Sequence, residues 1–227
     1  MPSRRTLPDT KRLTTEGDLA AAMVTGIDHY LTRETENTRK SRSSAQNPPS
    51  CNDLKKRLSE ILGLMDLREK DSIRVQSGAE GLKEVGEGPG FCIYEVCWSV
   101  LRGVDGEGLL LVPESDPIAN IIAMPDCDIS PEEFAGLSPG RTSMSRIPRL
   151  LAQSGCRVLI PVLMDRKCTH SGNPDIAMTN QPHREFIYRA AYELGRHIIG
   201  YEIQKVLAAV DSFELDGLPV GVFGYGE

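Results

Sequence analysis

Acidic and thiol side chains follow two apolar segments that favour strands. Asp126, Cys127 and Asp128 come directly after the run 118–124, and Asp165 follows the next such run. Open α/β sheets bind ligands at the carboxyl ends of their strands, where these side chains would lie. Asp126 and Cys127 are therefore candidate site residues, through their side chains or their backbone N–H groups.

The loop after Asp165 adds Cys168 and His170. Carboxylate, thiol and imidazole groups are ligands of divalent metals, so a metal-dependent enzyme that uses the strand-end aspartates is one alternative. Carboxylates at strand ends more often cap a helix or stabilise a turn. We expect neither a metal nor another cofactor.

The elements that must position these residues alternate between strands and helices. Residues 91–112 predict a β-hairpin around Asp105 and Gly106. Ser130, Pro131 and Glu133 predict a capped helix start. The other predicted elements are strands over 118–124, 157–164 and 218–223 and a long helix over 183–213, bent at Gly195 or Gly200. This order predicts an α/β fold with a mostly parallel sheet, covered on both faces, and an antiparallel first hairpin.

Three segments differ in composition. Residues 1–50 are predicted to form a helical and partly disordered arm, with a helix over 18–31 and a polar linker over 34–50. Residues 51–89 predict a helix, begun by Ser50 and Asp53, and a glycine-rich connection. The α/β pattern fills 90–227.

Composition excludes several classes of protein. The 227 residues carry a formal net charge of -6, which gives no electrostatic reason to bind nucleic acid or an acidic membrane surface. No apolar run reaches the roughly 18 residues of a membrane span, and no signal-peptide pattern follows the start. The sequence as written predicts a cytoplasmic protein, with export open if the true start is missing.

The order and spacing of three segments resemble a known family. They are the hairpin Trp98–Val112 with the strand Asn120–Met124, the helical segments Gly195–Gly200 and Val206–Phe213, and the final segment Val220–Glu227. Together they resemble the α/β-hydrolase superfamily, in particular its acetyl-xylan-esterase and dienelactone-hydrolase-like branch. The resemblance covers about residues 91–227 and implies an incomplete α/β-hydrolase-like three-layer sandwich.

This resemblance places the nucleophile elbow at the end of the sequence. In the G-x-S-x-G turn of the family, the serine Oγ is exposed on a sharp bend and the next N–H helps to hold the oxyanion. Here Gly226 takes the nucleophile position and Glu227 would supply that N–H. Glycine has no nucleophile. A one-residue shift, which places Glu227 in the nucleophile position, and a plain glycine loop are the alternatives.

The rest of the family's catalytic set is altered or missing. The loop that supplies the other half of the oxyanion hole would contain Asp126 and Cys127, whose N–H groups could serve although a carboxylate opposes an oxyanion. The triad acid and histidine follow the elbow in this family, whereas His170, His183 and His197 precede it.

The sequence therefore predicts the N-terminal portion of a hydrolase-family protein whose ancestral reaction is carboxylic-ester hydrolysis of the acetyl-ester type. This chain is expected to be truncated at the elbow and inactive, and whether it is an enzyme stays open. A non-catalytic binding or scaffold domain is the main alternative. Family members act on small-molecule or carbohydrate esters, and an exposed edge of the strand 218–223 predicts self-association.

Overall fold

The computed structural model describes residues 8–10, 16–43, 49–78, 81–138, 146–170, 173 and 175–226. The chain divides into two compact units, Met1–Asp53 and Leu54–Glu227. Glu227, one of the predicted site residues, lies outside the described residues.

The first unit contains the helix α1, Leu19–Ser43. Its first turn is capped by Asp18, whose Oδ1 accepts the N–H of Ala20 at 2.8 Å. The predicted linker over 34–50 is wrong for residues 34–43, because α1 continues through them. Glutamate, lysine and arginine are frequent in this stretch and are good helix formers. A second helix, α2, spans Cys51–Ile61, and the predicted Ser50–Asp53 pair forms at its start.

The second unit is built on a seven-stranded mixed sheet. Its strands are β1 Arg74–Val75, β4 Glu84–Gly88, β5 Phe91–Leu101, β6 Val104–Pro113, β7 Ala119–Met124, β8 Cys156–Pro161 and β9 Val220–Gly224, and β2 Ser77–Gly78 with β3 Gly81–Leu82 forms a separate hairpin. The order across the sheet is β1-β5-β6-β8-β7-β9, and β4 also pairs with β5. Strand β7 runs parallel to β8 and β9, whereas the hairpin β5–β6 and the remaining ladders are antiparallel.

Helices cover both faces of this sheet. They are α3 Pro131–Ala135, α4 Ile147–Gln153, α5 His183–Glu193 and α6 Ile198–Glu214. Alternate residues of each strand face opposite sides, so Trp98 packs in the core cluster with Phe213 of α6, while Phe91 packs in the other with Phe134 of α3. The α/β class and the layered arrangement are confirmed.

Two local details differ from a simple reading of the sequence pattern. The predicted long helix is broken after Leu194, where Gly195 adopts φ +69° and His197 caps α6. Leu194 lies at this break and is 66% exposed. Pro161 ends β8 opposite Gly108 and so does not interrupt the ladder.

The crossover between β7 and β8 brings β7 between β8 and β9. The register pairs Met124 with Gly224, so the carboxyl ends of β7 and β9 finish side by side. The residues that follow both strands therefore meet at one edge of the sheet.

No helix in the described part of the chain is both long and apolar enough to cross a membrane.

The contact between β6 and β8 tests this topology. A Cβ at Gly108 would lie closer than 3.0 Å to the backbone carbonyl oxygen of Ile160, which cannot move without separating the two strands. We expect Gly108→Ala to lower the free energy of unfolding by about 1–3 kcal/mol in urea denaturation. Gly224→Ala is the control, since its Cβ would meet only Met124 Cε at 3.6 Å, and should change stability by less than about 0.5 kcal/mol. Equal stability of both variants would contradict the β6–β8 pairing.

Candidate active site

The elbow region begins where β9 ends. The N–H of Tyr225 donates to the carbonyl oxygen of Met124 at 3.1 Å, which extends the ladder one residue beyond Gly224. Gly226 follows with φ +91°, a backbone conformation that L-residues rarely adopt. The chain therefore bends away from the sheet at the residue that the sequence predicts in the nucleophile position.

The side chain of Asp126 lies against Gly226. A Cβ on Gly226 would be 2.5 Å from Asp126 Oδ2 and 2.7 Å from its Cβ. The structure thus brings together two of the predicted site residues from different strand ends. Gly226, in the predicted nucleophile position, has no side chain, and the carboxylate of Asp126 fills the space that a Cβ there would need.

The turn after β7 fixes the position of Asp126. Its Oδ1 accepts the N–H of Asp128 at 3.0 Å, and its carbonyl oxygen accepts the N–H of Ile129 at 2.9 Å. Ser130 then begins α3 in the predicted capping box, with its Oγ accepting the N–H of Glu133 at 3.2 Å. Local hydrogen bonds therefore hold the Asp126 turn in one conformation.

Cys127 is predicted as a site residue, but its side chain points into the protein. It is 3% exposed, and burial raises the pKa of its thiol. A buried neutral thiol is a poor nucleophile and a poor metal ligand, because both roles need the thiolate. Cys127 therefore contributes packing beneath the turn.

Arg166 is the charged partner of this turn that the sequence did not reveal. Its Nη1 lies 2.9 Å from Asp128 Oδ2 and 3.5 Å from Asp126 Oδ1, and its backbone N–H donates to Asp128 Oδ1 at 2.9 Å. These hydrogen bonds lower the pKa of Asp128. Arg166 could have been found in the sequence from its position shortly after β8, because β8 lies next to β7.

Arg166 also bears on the alternative of a metal site. Asp126, Cys127 and Asp128 have ligand atoms within 4.8 Å of one another. The guanidinium of Arg166 already balances the two carboxylates, and the thiol is protonated, so the donor set does not suit a divalent cation. Among the described residues, Cys168 and His170 do not join this cluster.

Asp165, one of the strand-end aspartates of the metal alternative, does not join the Asp126–Asp128 cluster and instead pairs with His183. Its Oδ1 lies 2.7 Å from Nδ1 of His183, while Nε2 of His183 accepts the N–H of His170 at 2.8 Å. Both ring nitrogens are thus used, with Nδ1–H as donor and Nε2 as acceptor. This acid–histidine pair fastens the loop after β8 to the start of α5, where the sequence places His183.

A cavity of about 450 Å³ adjoins the elbow, between the strand ends and α6. Its wall is mostly apolar and includes Met124, Leu163, Ile203 and Tyr225. Glu202 supplies a charge to the wall and is held by Arg184, at 2.6 Å and 3.3 Å between the guanidinium nitrogens and the carboxylate oxygens. The lining of the cavity suits an apolar group, and Gly226 lies at its edge.

No protein-family model matches this sequence, and no curated protein matches it either. Solved structures do match. A protein of Bacteroides fragilis, assigned as an acetyl xylan esterase, superposes with a TM-score of 0.51 at 15% identity, over 77% of this chain and 46% of its own. Two structures of a cold-adapted esterase from an Arctic intertidal metagenomic library give TM-scores of 0.39 and 0.35 at 13% and 14% identity. They cover 62% and 61% of this chain and 53% and 50% of theirs.

The first match shows that this chain shares its layered α/β fold with that protein, and the two weaker ones add no argument. The chain spans about half the length of the solved structures that it matches. The predicted fold class is confirmed. The branch of the superfamily stays a prediction, as do the four predicted site residues.

The pKa of Asp128 tests whether Arg166 pairs with its carboxylate. Because its pKa is lowered, Asp128 stabilises the fold above its usual pKa of about 4, and this contribution is lost as the pH falls through the lowered value. We expect Arg166→Gln to raise the pKa of Asp128 only partly, since the backbone N–H of residue 166 remains. An NMR titration measures this. The pKa of Asp66, which Arg196 lowers, is the internal control and should not move. An unchanged pKa of Asp128 would show that the pair does not form.

Proposed function

We propose that residues 90–227 correspond to the N-terminal part of an α/β-hydrolase-like domain of esterase descent, and that the 227-residue chain itself does not catalyse. The ancestral reaction is the hydrolysis of carboxylic esters of the acetyl type, on small molecules or carbohydrates. The observation that carries the proposal is the contact of Gly226 with Asp126.

Support for the esterase descent comes from the position of the elbow. Gly226 follows β9, the strand that pairs with β7 on the side opposite β8. It therefore lies at the carboxyl edge of the sheet, where α/β enzymes bind ligands. The apolar cavity beside Tyr225 is where an acyl group would lie. A cavity of this volume falls within the roughly 300–1,000 Å³ of ordinary ligand pockets.

Support for the inactivity comes from charge as well as from the absent hydroxyl. Ester hydrolysis develops negative charge on the carbonyl oxygen, which esterases stabilise with N–H donors. At this elbow the nearest side chain is the Asp126 carboxylate, and Asp128 adds a second one. A negative group at this place opposes the oxyanion, and Arg166 offsets only part of the charge.

A non-catalytic binding or scaffold domain is the second candidate. The contact of Gly226 with Asp126 favours this role too, because the sheet, the cavity and the turn are all formed without a reactive group. In this role the apolar cavity beside Tyr225 would bind a ligand that is not converted.

The first experiment assays the purified chain with p-nitrophenyl acetate. We expect no saturable turnover above a matched protein blank, because Gly226 provides no nucleophile. We expect Gly226→Ser to remain inactive and to lower the free energy of unfolding by about 1–3 kcal/mol, since its Cβ would overlap Asp126.

A second variant distinguishes the steric overlap of a residue-226 side chain with Asp126 from the backbone strain at residue 226. In an Asp126→Gly background, the cost of Gly226→Ser should fall by about half or more, which a double-mutant cycle measures by chemical denaturation. Independent, additive effects would contradict the contact between the two residues. Saturable ester turnover that survives repurification would overturn the proposed inactivity.

We also propose that the chain self-associates through β9. Among the described residues β9 pairs with β7 on one side, and its other edge is unpaired. Val222 on this strand is 54% exposed, and an apolar strand edge is a template for pairing with another chain.

Light scattering over a concentration series tests this proposal. We expect the apparent mass to rise with concentration, and Val222→Lys to reduce the rise because a charge opposes strand pairing. Val104→Lys is the matched control, since Val104 is 47% exposed in the turn of the β5–β6 hairpin. A monodisperse monomer at all concentrations would disprove association through this edge.

A further inference from the structure

A second cavity of about 450 Å³ lies between α5, α6 and the turn of the β5–β6 hairpin. Its inner wall contains the buried residues Val100, Leu101 and Ala191, and Val104 and Leu194 lie at its exposed rim. It is distinct from the cavity at the elbow, although Glu202 borders both. The site described above makes no use of it.

Lys205 is one of the residues that line this cavity. The side chain is half-buried, and its Nζ donates a hydrogen bond to the carbonyl oxygen of Val162 at 2.7 Å. Within the described ranges, no carboxylate oxygen lies within ion-pair distance of this nitrogen. The helix is anchored at the same residue, because Nε1 of Trp98 donates to the carbonyl oxygen of Lys205 at 3.1 Å. The amine is therefore held in place without a counter-ion.

The surroundings favour the neutral amine. Burial lowers the pKa of Lys205, and the carboxylates of Glu202 and Glu107 oppose this more weakly from a distance. Glu202 cannot turn to the amine without leaving Arg184, whose two nitrogens it already binds. A larger fraction of Lys205 is thus unprotonated near neutral pH than of an exposed lysine, and a neutral amine is a nucleophile.

The charges at the cavity decide which ligand suits it. Asp105 and Glu202 both line it, so a carboxylate ligand would be repelled there. A neutral molecule with an apolar body and a carbonyl group meets no such repulsion. Its body would replace water along Val100 and Leu101, and its carbonyl carbon would face the amine.

We propose that this cavity binds small apolar aldehydes and that Lys205 captures them as a reversible imine. The lone pair of neutral Nζ forms a bond to the carbonyl carbon while the C=O π bond breaks, and the oxygen takes up a proton. Nitrogen loses a proton, which gives a carbinolamine. Loss of the hydroxyl group with a proton as one water molecule then leaves the C=N bond, so no oxidant or reductant is consumed.

The test uses the full chain with pentanal and sodium cyanoborohydride, which reduces an imine to a stable secondary amine. We expect peptide mass mapping to find Lys205 modified at least about tenfold more than Lys167, which is exposed and paired with Asp165. Glycolaldehyde, a polar aldehyde of similar reactivity, should show no such preference. Equal modification of the two lysines by pentanal would overturn the proposal.

Two variants make the result specific to the cavity. Ala190→Phe fills the opening from the exposed face of α5 and should reduce the modification of Lys205 by pentanal about tenfold while leaving that of Lys167 unchanged. Lys205→Arg keeps the positive charge but should give no reduced adduct at this position. Circular dichroism verifies that both variants fold. Modification of Lys205 that Ala190→Phe does not reduce would show that the cavity plays no part.

Discussion

The parallel pairing of β7 with β9 is the constraint on which the candidate site depends. Residues about 100 positions apart in the sequence are brought into register by this ladder, which ends with Met124 opposite Gly224. The turns that follow the two strands must then share one space, and Gly226 and Asp126 are the residues that share it. Since Gly226 has no side chain, the carboxylate can occupy that space. A larger residue at 226 and an aspartate at 126 are not compatible in this arrangement.

Charge compensation explains how two carboxylates persist at the end of β7. Arg166 comes from the end of β8, the neighbouring parallel strand, and bridges Asp126 and Asp128. The same pairing that stabilises the turn leaves two carboxylates in the predicted oxyanion loop and pairs them with a guanidinium. A free oxyanion site must be electropositive, and a metal site must keep its carboxylates unbound.

A largely buried ion pair lies beside the two cavities described above. Arg184 and Glu202 join α5 to α6, and Arg184 also donates to the carbonyl oxygen of Met164 at 2.9 Å. Their side chains are 16% and 15% exposed, so removal of either partner would leave a largely buried charge unpaired. The pair thus holds the carboxylate of Glu202, which borders both of these cavities. This arrangement connects the proposed amine chemistry to the packing of the helices.

Local sequence determined most of the helices and strands. The β5–β6 hairpin and the Ser130 capping box are each decided by a few neighbouring residues, and both are found as predicted. The extent of α1 was missed because its polar sequence has no apolar period, whereas helix propensity alone sustains it. The sequence likewise indicated that Asp126 and Gly226 would approach one edge of the sheet.

Only the tertiary structure decided what these residues do to one another. The ion pair of Arg166 with Asp128 joins residues 38 positions apart, and the pair of Arg184 with Glu202 joins residues 18 apart. Each pair joins residues from different elements or loops, so no local pattern reveals it. The overlap of a side chain at 226 with Asp126, and the burial of the Lys205 amine, likewise depend on distances that exist only after the strands and helices have packed. Residue type sets which chemistry is available, and packing sets which groups are charged, paired or accessible.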